Sequence, residues 1–349
     1  MRIFNYELLK RLSIDTETLS LISEIKELKG KQNFFMGQKK DSLAELVEIA
    51  KIQSTEASNK IEGIITTEKR IKELFKEKTA PKNRDEEEII GYRDVLNTIH
   101  ENFEGIPLKP NYILQLHKDL FKYTAGSIGG KFKSVDNYIQ EIDENGNKFI
   151  RFKPLEAFLT PAAVADICDE YEKALNSYLI EPLLLIPIFL LDFLCIHPFT
   201  DGNGRMSRLL TLMLLYKNEF IVGKYISIER MIEKTKSSYY ESLRQSSDKW
   251  LDNKNDPMPF IKYMLKIILA AYREFEERVV IFDEKKLGKG ERIKELFANH
   301  LGKLSKSKIQ EFLPDISQPM IEKTLRDLVK SGYIKKTGQG KNSAYIRNN

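Results

Sequence analysis

The pattern of apolar and polar positions predicts a mainly helical protein. Apolar residues recur at helical spacing over Asp41–Ile52, and the next segment, Ser54–Ile61, stops at Gly63, a residue type that favours a helix end. We therefore expect short helices over residues 1–76. The same spacing predicts further helices at Glu86–Phe103, Lys109–Lys122, Thr160–Leu179, Leu183–Ile196, Arg205–Asn218, Lys236–Ser246 and Pro259–Glu277.

One stretch in the middle of the chain has the pattern of strands. Residues 132–142 and 148–152 flank a polar segment, 143–147, that contains the pair Asn145-Gly146. Asn-Gly tolerates the positive φ angles of a tight hairpin turn. We predict a small, exposed hairpin over residues 131–152, with a strand edge left free for pairing.

The pattern changes beyond about Gly288. Three stretches with helical spacing precede two short strand candidates, in the order of a winged helix-turn-helix. These elements are Glu291–His300, Ser305–Phe312, Gln318–Ser331, Tyr333–Lys336 and Ala344–Arg347, with a turn at 338–340 between the strands.

Charge separates the same C-terminal region from the rest. Residues 285–349 hold 15 Lys and Arg against six Asp and Glu, whereas the other 284 residues carry a net charge of −4. The basic excess suggests a separate module with an acidic partner, either DNA or a protein, and a surface that serves only solubility is the alternative. Lys323, Arg326 and Lys330 on the third helix are suited to a DNA groove.

Composition narrows the protein class. The chain has 349 residues and only two cysteines, Cys168 and Cys195, which argues against a disulfide framework and fits a reducing cytoplasm. Its four histidines lack the spacing of a zinc site. The most apolar stretch, Pro182–Ile196, is too short to span a bilayer, and the N-terminus lacks a signal peptide pattern. We expect a cytoplasmic protein without membrane contact.

The segment from His197 to Arg208, HPFTDGNGRMSR, carries the chemistry. A glycine turn that opens a helix exposes backbone N–H groups to the positive end of the helix dipole, which makes an anion site. Arg205 and Arg208 lie three positions apart on that helix and are suited to a polyphosphate. Asp201 is placed to hold a divalent cation against the phosphates, and His197 has the pKa range of a general base.

This segment matches the pattern HPFx[D/E]GN[G/K]RxxR of the Fic (filamentation induced by cyclic AMP) family without a departure, and residues of roughly 90–275 resemble the Fic domain. The resemblance implies a protein adenylyltransferase that moves AMP from ATP to a Ser, Thr or Tyr hydroxyl. It implies His197 as the general base and Asp201 as the ligand of Mg²⁺ (or Mn²⁺). The implied contacts with ATP are Gly202, Asn203, Gly204, Arg205, Met206, Ser207 and Arg208. Phe199 is expected in the core.

The resemblance implies roles outside this segment as well. The hairpin at 131–152 corresponds to the family's flap, where a protein target docks by strand pairing. Tyr239 and Tyr240 match the place where family members contact the adenine side of the nucleotide. Two helix tyrosines that are half buried in the core would give the same sequence pattern. Trp250, the only tryptophan, is expected to close the same pocket.

Ser58, Glu62 and Gly63 match the family's inhibitory pattern [S/T]xxxE[G/N]. By this resemblance the Glu62 carboxylate pairs with Arg208 and withholds it from the γ-phosphate, and the N-terminal position implies the family's second inhibition class. The expected domains are an inhibitory helical region (1–85), a Fic-type helical bundle with its flap (86–284) and a winged-helix-like domain (285–349).

Other functions stay open on the sequence alone. The basic tail also fits a DNA-binding regulator in which the Fic domain is secondary. Family members with similar loops transfer phosphate or phosphocholine, and some remove AMP. The sequence does not reveal the protein target, and it leaves a homodimer open.

Overall fold

The computed structural model describes residues 2–38, 40–76, 79–126, 128–142, 148–177, 180–283, 288–300, 302–338 and 343–348. The protein is mainly helical, as the sequence predicted. The helices are α1 (Thr16–Gln38), α2 (Lys40–Ile61), α3 (Glu68–Phe75), α4 (Arg84–Asn102), α5 (Pro110–Leu120), α6 (Thr160–Asn176), α7 (Pro182–Ile196), α8 (Asn203–Lys217), α9 (Ile228–Lys234), α10 (Lys236–Ser247), α11 (Met258–Asp283), α12 (Lys289–Asn299), α13 (Lys306–Phe312) and α14 (Gln318–Lys330). The strands are β1 (Ile139–Ile142), β2 (Lys148–Phe152), β3 (Leu304–Ser305), β4 (Ile334–Thr337) and β5 (Ala344–Arg347).

The prediction of short helices at the N-terminus was wrong. α1 has 23 residues, and α2 runs through the break predicted at residue 53 as one helix of 22 residues. The polar residues Gln53, Ser54 and Thr55 looked like a boundary, yet all three are buried. The Ser54 hydroxyl donates a hydrogen bond of 2.7 Å to the Glu229 carboxylate, so a satisfied polar contact with α9 replaces the apolar contact that the pattern lacked.

Helix α7 lies at the centre of the main core. Leu183, Phe189 and Phe193 on its different faces are all fully buried, which explains why this helix is apolar all round. It packs against α6, α8 and α11. Pro187 lies within the helix without ending it. No helix among the described residues is long and apolar enough to cross a membrane.

The N-terminal helices share this main core. Ile22 and Ile25 of α1 and Leu46 of α2 belong to the same buried cluster as the residues of α7 and α8. α1 packs along α11, while α2 packs against α4 and α9. The segment that carries Ser58 and Glu62 is therefore held from several sides.

The predicted hairpin is present. β1 and β2 pair antiparallel, with Gln140 opposite Ile150, in a sheet of two strands. The turn predicted at 143–147 lies outside the described residues. Phe149 and Ile150 on β2 are about half exposed, so the hairpin presents apolar surface to solvent.

The C-terminal region has its own core, formed around Ile293, Ile309 and Leu325. Its three helices precede β4 and β5 in the predicted order. The sequence missed β3, which pairs with β5 to make a sheet of order β3-β5-β4. A strand of two residues is too short to give an alternating pattern. Of the turn predicted at 338–340, residues 339 and 340 lie outside the described part of the chain.

Candidate active site

The loop between α7 and α8 brings the predicted site residues together. α7 ends at Ile196, and its C-cap residue, His197, adopts a left-handed conformation with φ of 51°. Gly202, with φ of 82°, is the N-cap of α8. A Cβ at Gly202 would lie 2.8 Å from the Phe121 ring, so both its backbone angle and its surroundings require glycine.

Asn203 holds this loop closed with both ends of its amide. Its Oδ1 accepts a hydrogen bond of 2.9 Å from the Phe199 amide, and its Nδ2 donates one of 2.7 Å to the Phe199 carbonyl. Asn203 is buried. The sequence assigned this residue to the anion site; in this structure its side chain is engaged in shaping the loop.

Phe199 is fully buried, as expected, and it stacks on His117 of α5 with ring centroids 3.6 Å apart. His117 Nε2 donates to the Asp201 carbonyl at 3.0 Å, and its Nδ1 accepts from the Gly130 amide at 3.0 Å. Burial lowers the pKa of His117 to about 4, which keeps this ring neutral. Sequence reasoning missed His117, because a lone histidine on a helix gives no signal of its tertiary contact.

The His197 ring is neutral and has a free lone pair, as a general base requires. Its Nδ1 lies 3.2 Å from the Leu194 carbonyl, which can only accept, so Nδ1 carries the proton and Nε2 keeps its lone pair. Burial lowers the pKa of His197 to about 4. The ring is therefore neutral at physiological pH.

Arg208 is held at three points by the end of α2. Its Nε donates to the Ser58 hydroxyl at 2.8 Å, and its Nη2 donates to the Ser58 carbonyl at 2.9 Å and to Glu62 Oε1 at 2.7 Å. The Arg208 side chain is 2% exposed and that of Glu62 is 32% exposed. The ion pair inferred from the sequence is thus present in the structure.

Glu62 also lies against the start of α8. A Cβ on Gly204 would come within 2.2 Å of Glu62 Oε1, so the carboxylate occupies the space above the first turn. Burial raises the pKa of Glu62, but Arg208, together with Arg205 and Lys236, outweighs it and lowers the pKa below its ordinary value. Gly63, with φ of 83°, follows and ends the helix.

Arg205 and Asp201 lie on the other side of the same turn. Arg205 Nη1 is 2.7 Å from Glu88 on α4, and its guanidinium lies 5.1 Å from the centroid of the Phe121 ring. Arg205 is buried, whereas the Asp201 side chain is 47% exposed. Asp201 Oδ1 accepts a hydrogen bond of 2.6 Å from the Gly202 amide.

The donors around Asp201 fit a metal that brings other ligands of its own. Among the described residues, no three His, Cys, Asp or Glu side chains cluster as a metal site. One half-exposed carboxylate beside an anion site is the arrangement that Mg²⁺ uses when it is bound together with phosphates.

A cavity of about 290 Å³ opens beside these groups. It is lined by His197, Gly204, Arg208 and Glu62, by the tyrosines Tyr239 and Tyr240 of α10, and by Tyr138, Ile139, Arg151 and Phe152 of the hairpin region. Tyr239 is buried and Tyr240 is 38% exposed. Both tyrosines therefore share a cavity with Arg208, and their contact with the adenine side stays a prediction.

Other predicted site residues do not line this cavity: Asp201, Gly202, Asn203 and Arg205, described above, and Trp250, Met206 and Ser207. Trp250 is buried, and its indole Nε1 donates to Asp192 at 2.6 Å, so it packs behind a neighbouring groove. Met206 is fully buried in the core. The Ser207 hydroxyl donates to the Gly204 carbonyl at 2.8 Å. A position within the motif therefore does not by itself bring the side chains of Met206 and Ser207 to the cavity.

Comparisons with known proteins bear on this site. A family model described as Fic/DOC family matches residues 107–215. The chain is 24% identical over 195 residues to protein adenylyltransferase fic-1 of Caenorhabditis elegans, covering 55% of this chain and 34% of that protein. It is 24% identical over 239 residues to protein adenylyltransferase Fic of Drosophila melanogaster, covering 64% and 42%. The chain therefore spans less than half the length of these curated relatives.

Among solved structures, the chain is similar to a Fic family protein from Desulfovibrio desulfuricans G20, with a TM-score of 0.64 at 21% identity. The match covers 97% of both chains. At this level of identity the likeness concerns the fold.

Proposed function

We propose that this chain, whose residues 107–215 match the Fic/DOC family model, is a protein adenylyltransferase, which transfers AMP from ATP to a hydroxyl side chain of a protein. Two curated relatives carry the name protein adenylyltransferase. The observation that carries the proposal is a neutral imidazole, His197, on the same cavity as Arg208 and the first turn of α8.

The reaction needs a base for the attacking hydroxyl. His197 Nε2 accepts the proton of the target hydroxyl, whose oxygen forms a bond to the α-phosphorus of ATP. The bond from the α-phosphorus to the oxygen that bridges to the β-phosphorus breaks, and pyrophosphate leaves. The buried Nδ1 contact with Leu194 keeps Nε2 free for this step.

The phosphates require positive groups in fixed positions. The backbone N–H groups at the start of α8 supply them, together with the guanidinium groups of Arg205 and Arg208. Arg205 is already held by Glu88, and Arg208 becomes available when Glu62 leaves it. Mg²⁺ bound at Asp201 would neutralise phosphate charge, while Tyr239 and Tyr240 offer rings to the adenine side.

In this arrangement Glu62 restrains the enzyme. Its carboxylate holds Arg208 and lies over the first turn of α8, so it competes with the γ-phosphate for the same guanidinium and the same space. Ser58 contributes two of the three contacts on Arg208. The end of α2 therefore acts as an inhibitory helix.

The protein target docks on the hairpin at 131–152. Tyr138 and Ile139 line the cavity that holds His197, so a strand added to the hairpin would bring its hydroxyl toward the base. The exposed Phe149 and Ile150 offer apolar contacts for such a strand.

The test is transfer of label from ATP that carries radioactive phosphorus at the α position. Glu62→Gly protein, Mg²⁺ and cell lysate are incubated together, and labelled proteins are identified. We expect labelled targets with Glu62→Gly and none with the Glu62→Gly, His197→Ala double variant. If proteins are labelled instead by ATP that carries the label at the γ position, the enzyme is a kinase. If AMP is released from a target that already carries it, removal of AMP is the main reaction.

The C-terminal module supports a second activity, DNA binding. Lys323, Arg326 and Lys330 are all exposed on α14, at positions three and four apart that share one helix face. A gel shift of the full chain at two salt concentrations tests this. Replacing all three by alanine should abolish a shift that weakens with salt, whereas a shift unchanged by the replacement would exclude α14 as the contact.

A further inference from the structure

Four consecutive carbonyls of the catalytic loop accept hydrogen bonds from one short segment of the chain. Lys133 Nζ donates to the Ile196 carbonyl at 2.9 Å, and the Lys133 amide donates to the Pro198 carbonyl at 2.9 Å. Asn137 Nδ2 donates to the His197 carbonyl at 3.3 Å and to the Phe199 carbonyl at 3.1 Å. Lys133 and Asn137 therefore hold the backbone before and after His197 by hydrogen bonds.

The two side chains also hold each other. Lys133 Nζ donates to Asn137 Oδ1 at 2.8 Å, which leaves the Asn137 amide hydrogens for the loop. Lys133 is 4% exposed. A buried ammonium is costly unless its donors are satisfied, so these contacts are strongly specified rather than incidental.

The same segment anchors the hairpin. Asp136 Oδ1 accepts a hydrogen bond of 2.7 Å from the Ala157 amide, beyond the end of β2, and residue 138 leads directly into β1. Both ends of the hairpin are thus tied to the five residues that hold the catalytic loop.

We propose that Lys133 and Asn137 are positioning residues for AMP transfer, which hold His197 in its working conformation and at a set distance from the hairpin where the target docks. The inference rests on the proposed function. His197 has a φ of 51°, which non-glycine residues adopt only when their surroundings enforce it. The contacts on the carbonyls of residues 196–199 supply that constraint.

The experiment compares four substitutions, each in the Glu62→Gly background. Asn137→Leu keeps the approximate size and charge but removes the donors. Lys133→Met removes the ammonium, and Lys133→Arg keeps a charged donor. Lys109→Met, at an exposed lysine that precedes α5 and lies outside the hairpin, is the matched control. Rates at saturating ATP, KM for ATP and melting temperatures are measured for all.

For Asn137→Leu and Lys133→Met we expect rates about 100-fold lower at an unchanged KM for ATP, since displacing a catalytic group by about 1 Å costs on that order. Lys133→Arg should recover most of the rate, and Lys109→Met should match the parent. A merely structural role predicts a fallen melting temperature and a changed KM together. Unchanged rates in Asn137→Leu and Lys133→Met overturn the proposal and leave AMP transfer standing.

A second readout does not depend on activity. Hydrogen exchange of the peptide that spans residues 197–204 is measured by mass spectrometry, without nucleotide. In Asn137→Leu the amide hydrogens of this loop should exchange roughly tenfold faster than in the control, because two hydrogen bonds of ordinary strength are lost. Equal exchange overturns the proposal. If Glu62→Gly itself transfers no AMP, the proposed function fails, and exchange alone then decides whether the segment holds the loop.

Discussion

The contact between Glu62 and Arg208 predicts a graded release of activity. Glu62→Gln keeps an acceptor but loses the charge, Glu62→Ala removes the acceptor, and Glu62→Gly also loosens the end of α2 beside Gly63. Transfer should therefore rise in the order wild type, Gln, Ala. Comparing Ala with Gly separates the lost carboxylate from the loosened backbone.

The magnitude follows from the three contacts on Arg208. A hydrogen bond to a charged group contributes about 1.5–3 kcal/mol, and about 1.4 kcal/mol changes an equilibrium tenfold. Loss of the 2.7 Å bond to Glu62 alone therefore shifts the equilibrium from restrained to available Arg208 by roughly 10- to 150-fold. Ser58→Ala removes only the neutral hydroxyl acceptor at 2.8 Å and leaves the Glu62 ion pair in place, so it should give a smaller rise, about tenfold, at the low end of this range.

The assay is self-modification with α-labelled ATP, together with the affinity for ATP measured by calorimetry. Arg208→Ala should not raise transfer, because it removes the contact with the γ-phosphate as well as the restraint by Glu62. If Glu62→Ala and Glu62→Gly bind ATP but label no more than wild type, the Glu62–Arg208 pair has no inhibitory role and residues 58–63 are simply the end of a helix.

Further predictions concern the base, the metal and pH. His197→Ala should keep the fold and ATP binding but lower transfer by at least roughly 10²–10⁴-fold; full transfer by a folded variant would remove His197 from the mechanism. Asp201→Ala should reduce the gain from adding Mg²⁺ or Mn²⁺, and undiminished transfer in excess chelator would give Asp201 another role. Burial lowers the pKa of His197 to about 4, and only the neutral ring accepts a proton. Transfer by Glu62→Gly should therefore stay level as pH falls from 7 to about 5; a decline centred near pH 6.5 would mean that the ring is solvated during turnover.

The sequence by itself determined the helical class, the hairpin and the loop from His197 to Arg208. Helical spacing and a glycine turn are local properties, so they can be predicted before any long-range contact is known. The pairing of Glu62 with Arg208 is different, because it is a long-range contact that only the resemblance to a family pattern implied; the structure contains it.

Only the tertiary structure showed which polar residues are buried. Gln53–Thr55 suggested a helix break because the partner of the buried Ser54 hydroxyl, Glu229, lies on α9, which is distant in sequence. Lys133, Asn137 and His117 gave no signal because their hydrogen bonds reach carbonyls more than 50 residues away. Trp250 is the opposite case, because the sequence placed it at the cavity and its buried hydrogen bond to Asp192 holds it elsewhere. Local pattern specifies an element and its turn, whereas the partner of a buried polar group depends on how distant elements pack.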